Sequence, residues 1–313
     1  MDATADETLD DMAQNMSSQP LGLKAWVVGA RPRTLPAAVV PVAVGAACAV
    51  GSDAVWWRAG CALIVSMALQ IGVNYANDYS DGIRGTDDQR VGPLRLVASG
   101  TKTAQQVKRA AFVALGVAII AGLLLAIVVS WWLILIGLCA VTAAWTYTGG
   151  PRPYGYAGLG EVFVFLFFGV VATLGTTYVL TGQASGDAWW TSSVASIGVG
   201  CFACALLVVN NLRDIPGDTV AAKRTMAVRI GDARTRTMFI LLFFVVLLIV
   251  FLVALRTSPW ALMGTIGVAA TIPALKSVRN GALGRDLVPV LGVVGRAQII
   301  FAVSFAGGIA LAL

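Results

Sequence analysis

Histidine is absent from this chain and cysteine is scarce: its 313 residues include no histidine and five cysteines. Without histidine, a zinc or copper site would have to rely on thiolate and oxygen ligands. The spacing of Cys201 and Cys204 resembles half of a zinc site, but no second ligand pair accompanies it. All five cysteines fall within apolar stretches, so we interpret them as buried free thiols and expect any metal to be bound by oxygen.

Charged residues are also few. They make up 12% of the chain, against 58% hydrophobic residues, and apolar runs of about 20 residues recur along its length. This composition excludes a water-soluble domain and is typical of an all-α, polytopic membrane protein. We predict a bundle of nine transmembrane helices, near residues 34–51, 57–76, 110–129, 131–149, 159–180, 192–212, 237–255, 259–276 and 288–312.

Basic residues are unevenly distributed among the predicted loops. Lysine and arginine concentrate in the amino-terminal segment and in the loops after spans two, four, six and eight, whereas Arg58 and Arg256 lie on the opposite side. The positive-inside rule then places the amino terminus in the cytoplasm and the carboxyl terminus outside the cell membrane. The net charge of +6 therefore faces the cytoplasm, where it suits anionic lipid and an anionic substrate. The sequence contains no nucleic-acid-binding motif, so we expect no nucleic-acid partner.

No long polar linker separates the predicted spans, which indicates one transmembrane domain over residues 23–313. Residues 1–22 are mostly polar and acidic, and they lack the basic and then apolar order of a cleavable signal peptide. We expect them to form a disordered cytoplasmic tail.

Two acid-rich segments, residues 74–81 and 210–218, end the second and sixth spans. In each, an asparagine precedes an aspartate by four residues, which indicates an internal pseudo-repeat. If each helix continues about one turn beyond the membrane, its amides and carboxylates share one face. The residues on these faces are Gln70, Asn74, Asp78 and Asp81 in the first segment and Asn210, Asp214 and Asp218 in the second. Carboxylates beside hydrocarbon are costly, so the two clusters predict a cytoplasmic site for a cation or a charged ligand.

Oxygen ligands without histidine or clustered thiolates favour Mg²⁺. Proteins usually hold Mg²⁺ by one or two carboxylates together with substrate phosphate, so we expect a diphosphate to supply the remaining ligands. Cations that suit a diphosphate follow both segments: Arg84, Arg90, Arg95 and Lys102 after the first, and Arg213, Lys223, Arg224 and Arg229 with the second. Each of these cations also suits a topogenic or lipid-facing role.

A diphosphate at a membrane surface, joined to a group that dissolves in hydrocarbon, describes a polyprenyl diphosphate. Ionising its allylic carbon–oxygen bond leaves a carbocation, which must be shielded from water and which aromatic faces stabilise. The aromatic candidates are Tyr79, Tyr147, Phe163, Phe165, Phe167 and Phe168. A cation-coupled transporter is the alternative from another class, because paired intramembrane acids on a repeat also occur there. We favour an enzyme because the acids lie at helix ends and phosphate-suited cations follow them.

The two acid segments in this nine-helix layout resemble the signature motifs of the UbiA superfamily of intramembrane prenyltransferases. Residues 77–87, 91–95, 147–153 and 223–229 further resemble the actinobacterial form of the branch that prenylates 1,4-dihydroxy-2-naphthoate in menaquinone synthesis. This resemblance implies transfer of a polyprenyl group from its diphosphate to that acceptor, with decarboxylation and diphosphate release, to give a demethylmenaquinone. Other acceptors, namely 4-hydroxybenzoate, a phosphoribosyl donor, a glycerol ether or a haem precursor, are the nearest alternatives.

The resemblance also implies roles for single residues. Mg²⁺ would be bound by Asp78, Asp81, Asp214 and Asp218, although Asp87 and Asp88 compete with Asp81 for its role. We expect substrate contacts from Asn74, Asn77, Arg84, Lys102, Asn210, Lys223 and Arg224. This chain departs from the family at Ala222, where a glycine often precedes the lysine, and a methyl group there would restrict the loop slightly.

The acceptor's contacts are predicted from fewer residues. Arg152 is the only cation in its short loop and suits the naphthoate carboxylate. Glu161 would take a proton from a naphthol hydroxyl or form a salt bridge with Arg152. Tyr147, at the cytoplasmic end of span four, is the catalytic aromatic candidate. Arg31 and Arg33, just before the first span, suit either the cavity mouth or a topogenic role.

Overall fold

The structure of the protein is a computed structural model that describes residues 22–86 and 94–311. The predicted tail, apart from Gly22, lies outside the described residues, as do Asp87 and Asp88. Within the described ranges the chain is helical and contains no strand. The α-helices of these ranges, numbered in chain order, are α1 Leu23–Gly29, α2 Pro36–Cys48, α3 Trp57–Ile83, α4 Ala104–Val128, α5 Trp132–Thr146, α6 Gly160–Thr181, α7 Gly186–Val220, α8 Met226–Ile230, α9 Asp232–Arg256, α10 Gly264–Ala269, α11 Ile272–Arg279 and α12 Leu287–Ala310.

Six helices of the described chain, α3, α4, α6, α7, α9 and α12, are long and apolar enough to cross a membrane. The segments Pro259–Ala269 and Ile272–Arg279 make a seventh span if this pair, bent by 43°, is counted as one. Helices α2 and α5 are apolar but have 13 and 15 residues, fewer than the roughly 20 that a full crossing needs. The polytopic, all-helical architecture is therefore confirmed. Each predicted span overlaps one of these segments, but the count of nine spans stays a prediction.

The two acid segments lie in the last turns of α3 and α7. Helix α3 continues to Ile83 and α7 to Val220, so both helices extend beyond the apolar runs that predicted them. Their acids are buried: 1% of Asp78 and 3% of Asp81 is exposed, against 9% of Asp214 and 6% of Asp218. The expected helical continuation is therefore confirmed, and it presents polar side chains to the protein interior rather than to solvent.

Helix α7 forms the centre of the bundle and packs against α2, α6, α9 and α12. Fully buried phenylalanines fill the space between these helices, with Phe202 of α7 against Phe243 of α9 and Phe301 of α12. Packing of large aromatic side chains fixes the relative positions of these helices. It thereby holds the acid-bearing end of α7 in place.

Helix α6 approaches α7 closely through a pair of glycines. A Cβ atom on Gly169 would lie 2.4 Å from the Cα atom of Gly200, so only glycine fits at this crossing. Gly169 belongs to a π-helical segment, Phe165–Val171. Such segments are rare and frequently occur at functional sites. Here the segment forms part of a cavity wall.

Candidate active site

Lys223 brings the two acid segments together. Its ammonium nitrogen lies 3.9 Å from Oδ2 of Asp81 and 3.7 Å from Oδ1 of Asp218, one carboxylate from each motif helix. Lys223 follows α7 in the chain, and its backbone N–H donates to the Asp218 carbonyl. The loop thus turns the lysine back towards the helix end. The predicted meeting of the two motifs is present in the structure, and a lysine ammonium stands between their carboxylates.

Tyr156, which the sequence analysis did not single out, completes this group. Its hydroxyl donates to Oδ1 of Asp81 at 2.7 Å, and its ring lies 5.1 Å from the Lys223 ammonium. Burial and then the nearby Asp81 carboxylate raise the pKa of the Tyr156 phenol. The hydroxyl therefore stays protonated and donates to the carboxylate at neutral pH. The sequence feature that could have identified Tyr156 is its position, because it lies three residues after the segment 147–153 in the same loop.

Asp78 anchors the loop that follows the first motif. Its two carboxylate oxygens accept hydrogen bonds from the backbone N–H groups of Leu96 and Val97, at 2.9 and 3.0 Å. These contacts fold the loop back onto α3 and set Arg95, a buried residue, into the wall of the main cavity.

Asp214 has a corresponding role in the second motif. Its two oxygens accept from Nε and Nη2 of Arg213, at 2.7 and 2.8 Å, and Nη2 also donates to Oδ1 of Asn210. A bidentate pair of this kind fixes the plane of the guanidinium group. Arg213 lines the cavity, and its remaining Nη1 atom is buried without a hydrogen-bond partner in the described part of the chain.

The side chains of the motif asparagines form hydrogen bonds with neighbouring turns of the chain. Asn74 donates to the Ala30 carbonyl at 2.8 Å and to the Thr34 hydroxyl at 3.1 Å. Between these two contacts lies Arg31, which has a φ of 55° and also lines the cavity. Asn77 and Asn210 line the cavity as well, as predicted substrate contacts should. The amide of Asn77 accepts from the Thr148 hydroxyl.

The other predicted cations lie further from the acid pair. Arg84 donates to the carbonyls of Thr148 and Gly150 and so clamps the 147–153 loop to α3. Lys102 lies over the Trp26 ring, 5.5 Å from its centroid. Arg152 and Arg224 are exposed and are not part of the cavity wall. The predicted substrate roles of these four residues therefore stay predictions.

Glu161 lies near the start of α6 and is buried. Its Oε1 atom accepts from Asn211 at 2.9 Å, while Oε2 has no hydrogen-bond partner among the residues that the structure describes. Its neighbour Gly160 lies beside Tyr147, since a Cβ atom on Gly160 would lie 3.3 Å from Cε2 of the Tyr147 ring. Tyr147 itself lines the cavity.

A cavity of about 1510 Å³ extends from Tyr147 into the bundle. This volume exceeds the roughly 300–1,000 Å³ that is usual for small-molecule sites. Its polar lining gathers near the motif helices and includes five arginines, Arg31, Arg33, Arg95, Arg213 and Arg285, of which Arg285 was not anticipated. None of the described residues that line it is acidic. The rest of the wall is largely apolar, so the cavity suits a ligand with an anionic head and a hydrocarbon tail.

Aromatic residues line one wall of this cavity. The rings of Tyr147, Tyr154, Phe163 and Phe167 follow one another with centroid separations of 5.4, 4.0 and 6.1 Å. Phe168 also faces the cavity, as predicted. Tyr79 stacks instead on Trp145, and the ring of Phe165 lies against Gly200.

The acid pair fits Mg²⁺. Asp81 and Asp218 already hold one cation, the Lys223 ammonium, between carboxylates of different helices. Two carboxylates without histidine or thiolate form a donor set that Mg²⁺ accepts when substrate phosphate supplies further oxygens. Within residues 22–86 and 94–311, no three acidic, histidine or cysteine side chains converge to bind a metal by themselves. The metal-ligand roles of Asp78, Asp81, Asp214 and Asp218 all stay predictions. The hydrogen bonds that Asp78 and Asp214 accept leave each of their carboxylate oxygens a second lone pair.

Comparison with known proteins agrees with this geometry. The model of the UbiA prenyltransferase family matches residues 38–285. The chain is 49% identical over 286 residues to 1,4-dihydroxy-2-naphthoate octaprenyltransferase of Mycobacterium tuberculosis, covering 91% of this chain and 96% of that protein. The same enzyme of Mycobacterium leprae is 47% identical, covering 92% of this chain and 96% of the relative.

The fold is shared with a solved structure. A UbiA homologue from Archaeoglobus fulgidus, bound to GPP and Mg²⁺, superposes with a TM-score of 0.64 at 14% sequence identity. The superposition covers 91% of this chain and 99% of the homologue. At 14% sequence identity, this similarity shows a shared fold and nothing more.

Ala222, directly before Lys223, has a φ of 53°, a left-handed conformation that an L side chain adopts at a cost of roughly 1–2 kcal/mol. We expect Ala222→Gly to raise the stability by about 1 kcal/mol and Ala222→Val to lower it, because a β-branched residue fits this region worse still. Thermal unfolding in detergent measures the order Gly, Ala, Val. If the glycine variant unfolds at a lower temperature than the parent protein, the inference that the backbone is strained at Ala222 is wrong.

Proposed function

Because the chain belongs to the UbiA prenyltransferase family, we propose that it transfers a polyprenyl group from a polyprenyl diphosphate to 1,4-dihydroxy-2-naphthoate. The allylic carbon–oxygen bond breaks, diphosphate leaves, and the ring carbon that loses CO₂ forms the new carbon–carbon bond. Both ring hydroxyls are kept, so the product of this step is a demethylmenaquinol, and a separate two-electron oxidation would give the demethylmenaquinone. The observation that carries this proposal is the Asp81–Lys223–Asp218 group at the ends of α3 and α7, two helices that also bring Asn77 and Arg213 into the polar end of a large apolar cavity.

The diphosphate binds at this polar end. Arg213 and Arg95 line the cavity in orientations set by Asp214 and by the Asp78-anchored loop, respectively. Arginine grips phosphate oxygens in a bidentate manner, while Lys223 supplies a point charge. The structure of the A. fulgidus homologue contains Mg²⁺, and Asp81 and Asp218 would hold this ion here. When bound, Mg²⁺ neutralises charge on the departing diphosphate.

The allylic cation needs an environment without water. Tyr147, Tyr154, Phe163 and Phe167 present consecutive ring faces or edges along the cavity wall next to the proposed diphosphate site. Aromatic faces attract cations, most strongly where the site is desolvated. These rings would stabilise the positive charge while excluding water that would otherwise trap it.

The acceptor's carboxylate would bind a cavity arginine other than the one that grips the diphosphate. Arg31 lines the cavity and has a buried guanidinium nitrogen without a hydrogen-bond partner in the described chain. An unpartnered buried donor is costly, and a ligand carboxylate would satisfy it. Arg152, the residue expected here, is exposed. We therefore propose Arg31 for this contact and Glu161, beside Tyr147, as the proton acceptor for the naphthol hydroxyl.

The distribution of cations supports an orientation in the membrane: lysine and arginine concentrate at the Lys223 end of the bundle, whereas Arg58 lies at the other end. Arg58 donates to the carbonyls of Val179 in α6 and Val128 in α4, at the ends of these helices that point away from Lys223. We propose that the Lys223 end faces the cytoplasm, with α2 and α5 as the eighth and ninth crossings and with α3 and α7 as the cores of a pseudo-repeat. Residues 23–313 would then form one transmembrane domain with a cytoplasmic amino terminus and an external carboxyl terminus.

The acceptor can be tested directly with the purified protein. Given Mg²⁺ and one labelled polyprenyl diphosphate, we expect prenylated product and CO₂ release from 1,4-dihydroxy-2-naphthoate and no product from 4-hydroxybenzoate. Chromatography of the labelled lipid measures both reactions. Product from 4-hydroxybenzoate alone would overturn the proposed acceptor.

The metal role predicts the effect of changing the acid pair. Asp81→Asn and Asp218→Asn remove a charged ligand each, so we expect activity to fall by about 10²-fold or more and the Mg²⁺ concentration for half-maximal activity to rise. Asp232→Asn is the control, because Asp232 pairs with Arg236 on a separate helix. EDTA should abolish the activity and Mg²⁺ should restore it. Unchanged Mg²⁺ dependence in both variants would argue against the assignment.

Glu161→Gln tests the proton acceptor. Glutamine keeps the size of the side chain and its contact with Asn211 but does not accept a proton, so we expect kcat to fall by about 10²-fold. Binding of the polyprenyl diphosphate should stay unchanged. The acid limb of the pH profile of kcat should disappear in the variant. If that limb persists, another group accepts the proton.

A further inference from the structure

Three glycines line the apolar part of the cavity: Gly122 on α4, Gly137 on α5 and Gly175 on α6. Glycine in a helix interior costs about 0.5–1 kcal/mol relative to alanine. Close helix packing explains Gly169, where a Cβ atom would clash, but it does not explain these three. A Cβ atom on Gly137 or Gly175 would meet no atom within 4 Å, and one on Gly122 would meet only Val65 at 3.9 Å.

The three glycines lie at similar distances from the ends of their helices. Each is five or six residues from the end of its helix that points away from Lys223, or about 8–9 Å at the α-helical rise. The ends of α4 and α6 are level with each other, since one Arg58 guanidinium binds the carbonyls of Val128 and Val179. Gly137 is ten residues, or about 15 Å, from Tyr147 at the polar end.

The π-helical segment keeps α6 aligned with the cavity. Every fourth residue from Phe163 to Val179 lines it, including Phe167 and Gly175. In a regular α-helix, steps of four residues drift around the axis by about 40° each. The wider i to i+5 turns of Phe165–Val171 reduce this drift. Gly175 therefore continues the wall that begins at the aromatic rings.

The cavity is a ligand site rather than a packing defect. At its polar end, the buried Nη1 atom of Arg213 has no hydrogen-bond partner among the described residues, which calls for an anionic group there. A ligand with its anionic head at Arg213 and a chain along the apolar wall passes the aromatic rings first. A chain of more than a few isoprene units then reaches the level of the glycines.

We propose that Gly122, Gly137 and Gly175 form a collar without side chains that admits the distal isoprene units of a long-chain prenyl diphosphate. Side chains at these positions would shorten the longest chain that the protein binds. This inference rests on the proposed prenyl transfer for its choice of ligand, but not on the acceptor.

Equilibrium binding tests the collar independently of turnover. The dissociation constants of geranyl diphosphate and octaprenyl diphosphate are measured with Mg²⁺ in nanodiscs for Gly137→Phe, Gly175→Phe and the smaller change Gly175→Leu. We expect octaprenyl diphosphate to bind about tenfold more weakly, because the new side chain fills space that the chain needs, while geranyl diphosphate binds as before. Retained geranyl diphosphate binding shows that each variant is folded.

Gly116→Phe is the matched control. Gly116 lies on α4, has no atom within 4 Å of its Cβ position and is not part of the cavity wall. Its ratio of the two dissociation constants should match that of the parent protein. An unchanged ratio in the collar variants, or the same shift in Gly116→Phe, would overturn the collar. Parent protein that binds octaprenyl diphosphate yet does not prenylate 1,4-dihydroxy-2-naphthoate would instead refute the proposed acceptor and leave the collar intact.

Discussion

Charge compensation at the Lys223 end of the bundle is the constraint on which the site depends. Asp81 and Asp218 are buried on different helices, and the Lys223 ammonium lies less than 4 Å from both. At that separation each attraction is worth about 4 kcal/mol in a partly buried setting, although desolvation offsets much of it. Without the lysine, two like charges would face each other in a poorly solvated place. The ends of α3 and α7 are therefore held together by a cation, and the proposed binding site for metal and diphosphate depends on the same arrangement.

Each motif divides its acids between two tasks. The inner aspartate of each pair, Asp78 or Asp214, has both oxygens hydrogen-bonded within the protein and positions a cavity arginine, directly for Arg213 and through a loop for Arg95. The outer aspartate, Asp81 or Asp218, faces Lys223. Buried arginines need such partners because a guanidinium group cannot lose its proton. The inner acids thus compensate the charges of Arg95 and Arg213 in a largely apolar cavity wall. An anionic ligand in the cavity would interact with these arginines with little solvent screening.

Local pattern predicted the helices and the faces of their polar residues, because both depend on residues three or four positions apart. The continuation of α3 and α7 past their apolar runs followed from this periodicity. Contacts made by loops could not be predicted from this periodicity. Tyr156 binds Asp81 across 75 residues, and the orientation of Arg84 depends on a turn conformation that residue type does not determine. Phe165 was expected in the cavity, but it lies against Gly200 in the π-helical segment, which helical periodicity alone does not reveal.

The cavity joins two environments that the proposed reaction needs at the same time. Ionisation creates an anion and a cation from one neutral bond, so the site must stabilise opposite charges a few ångströms apart. Arg95 and Arg213 suit the anion, whereas the rings from Tyr147 to Phe167 suit the cation through their π-faces. Mixing the two sets would pair arginine with the carbocation and raise the barrier. Their segregation along one cavity, with aromatic rings between the cationic end and the glycine-lined end, is therefore a requirement of the chemistry.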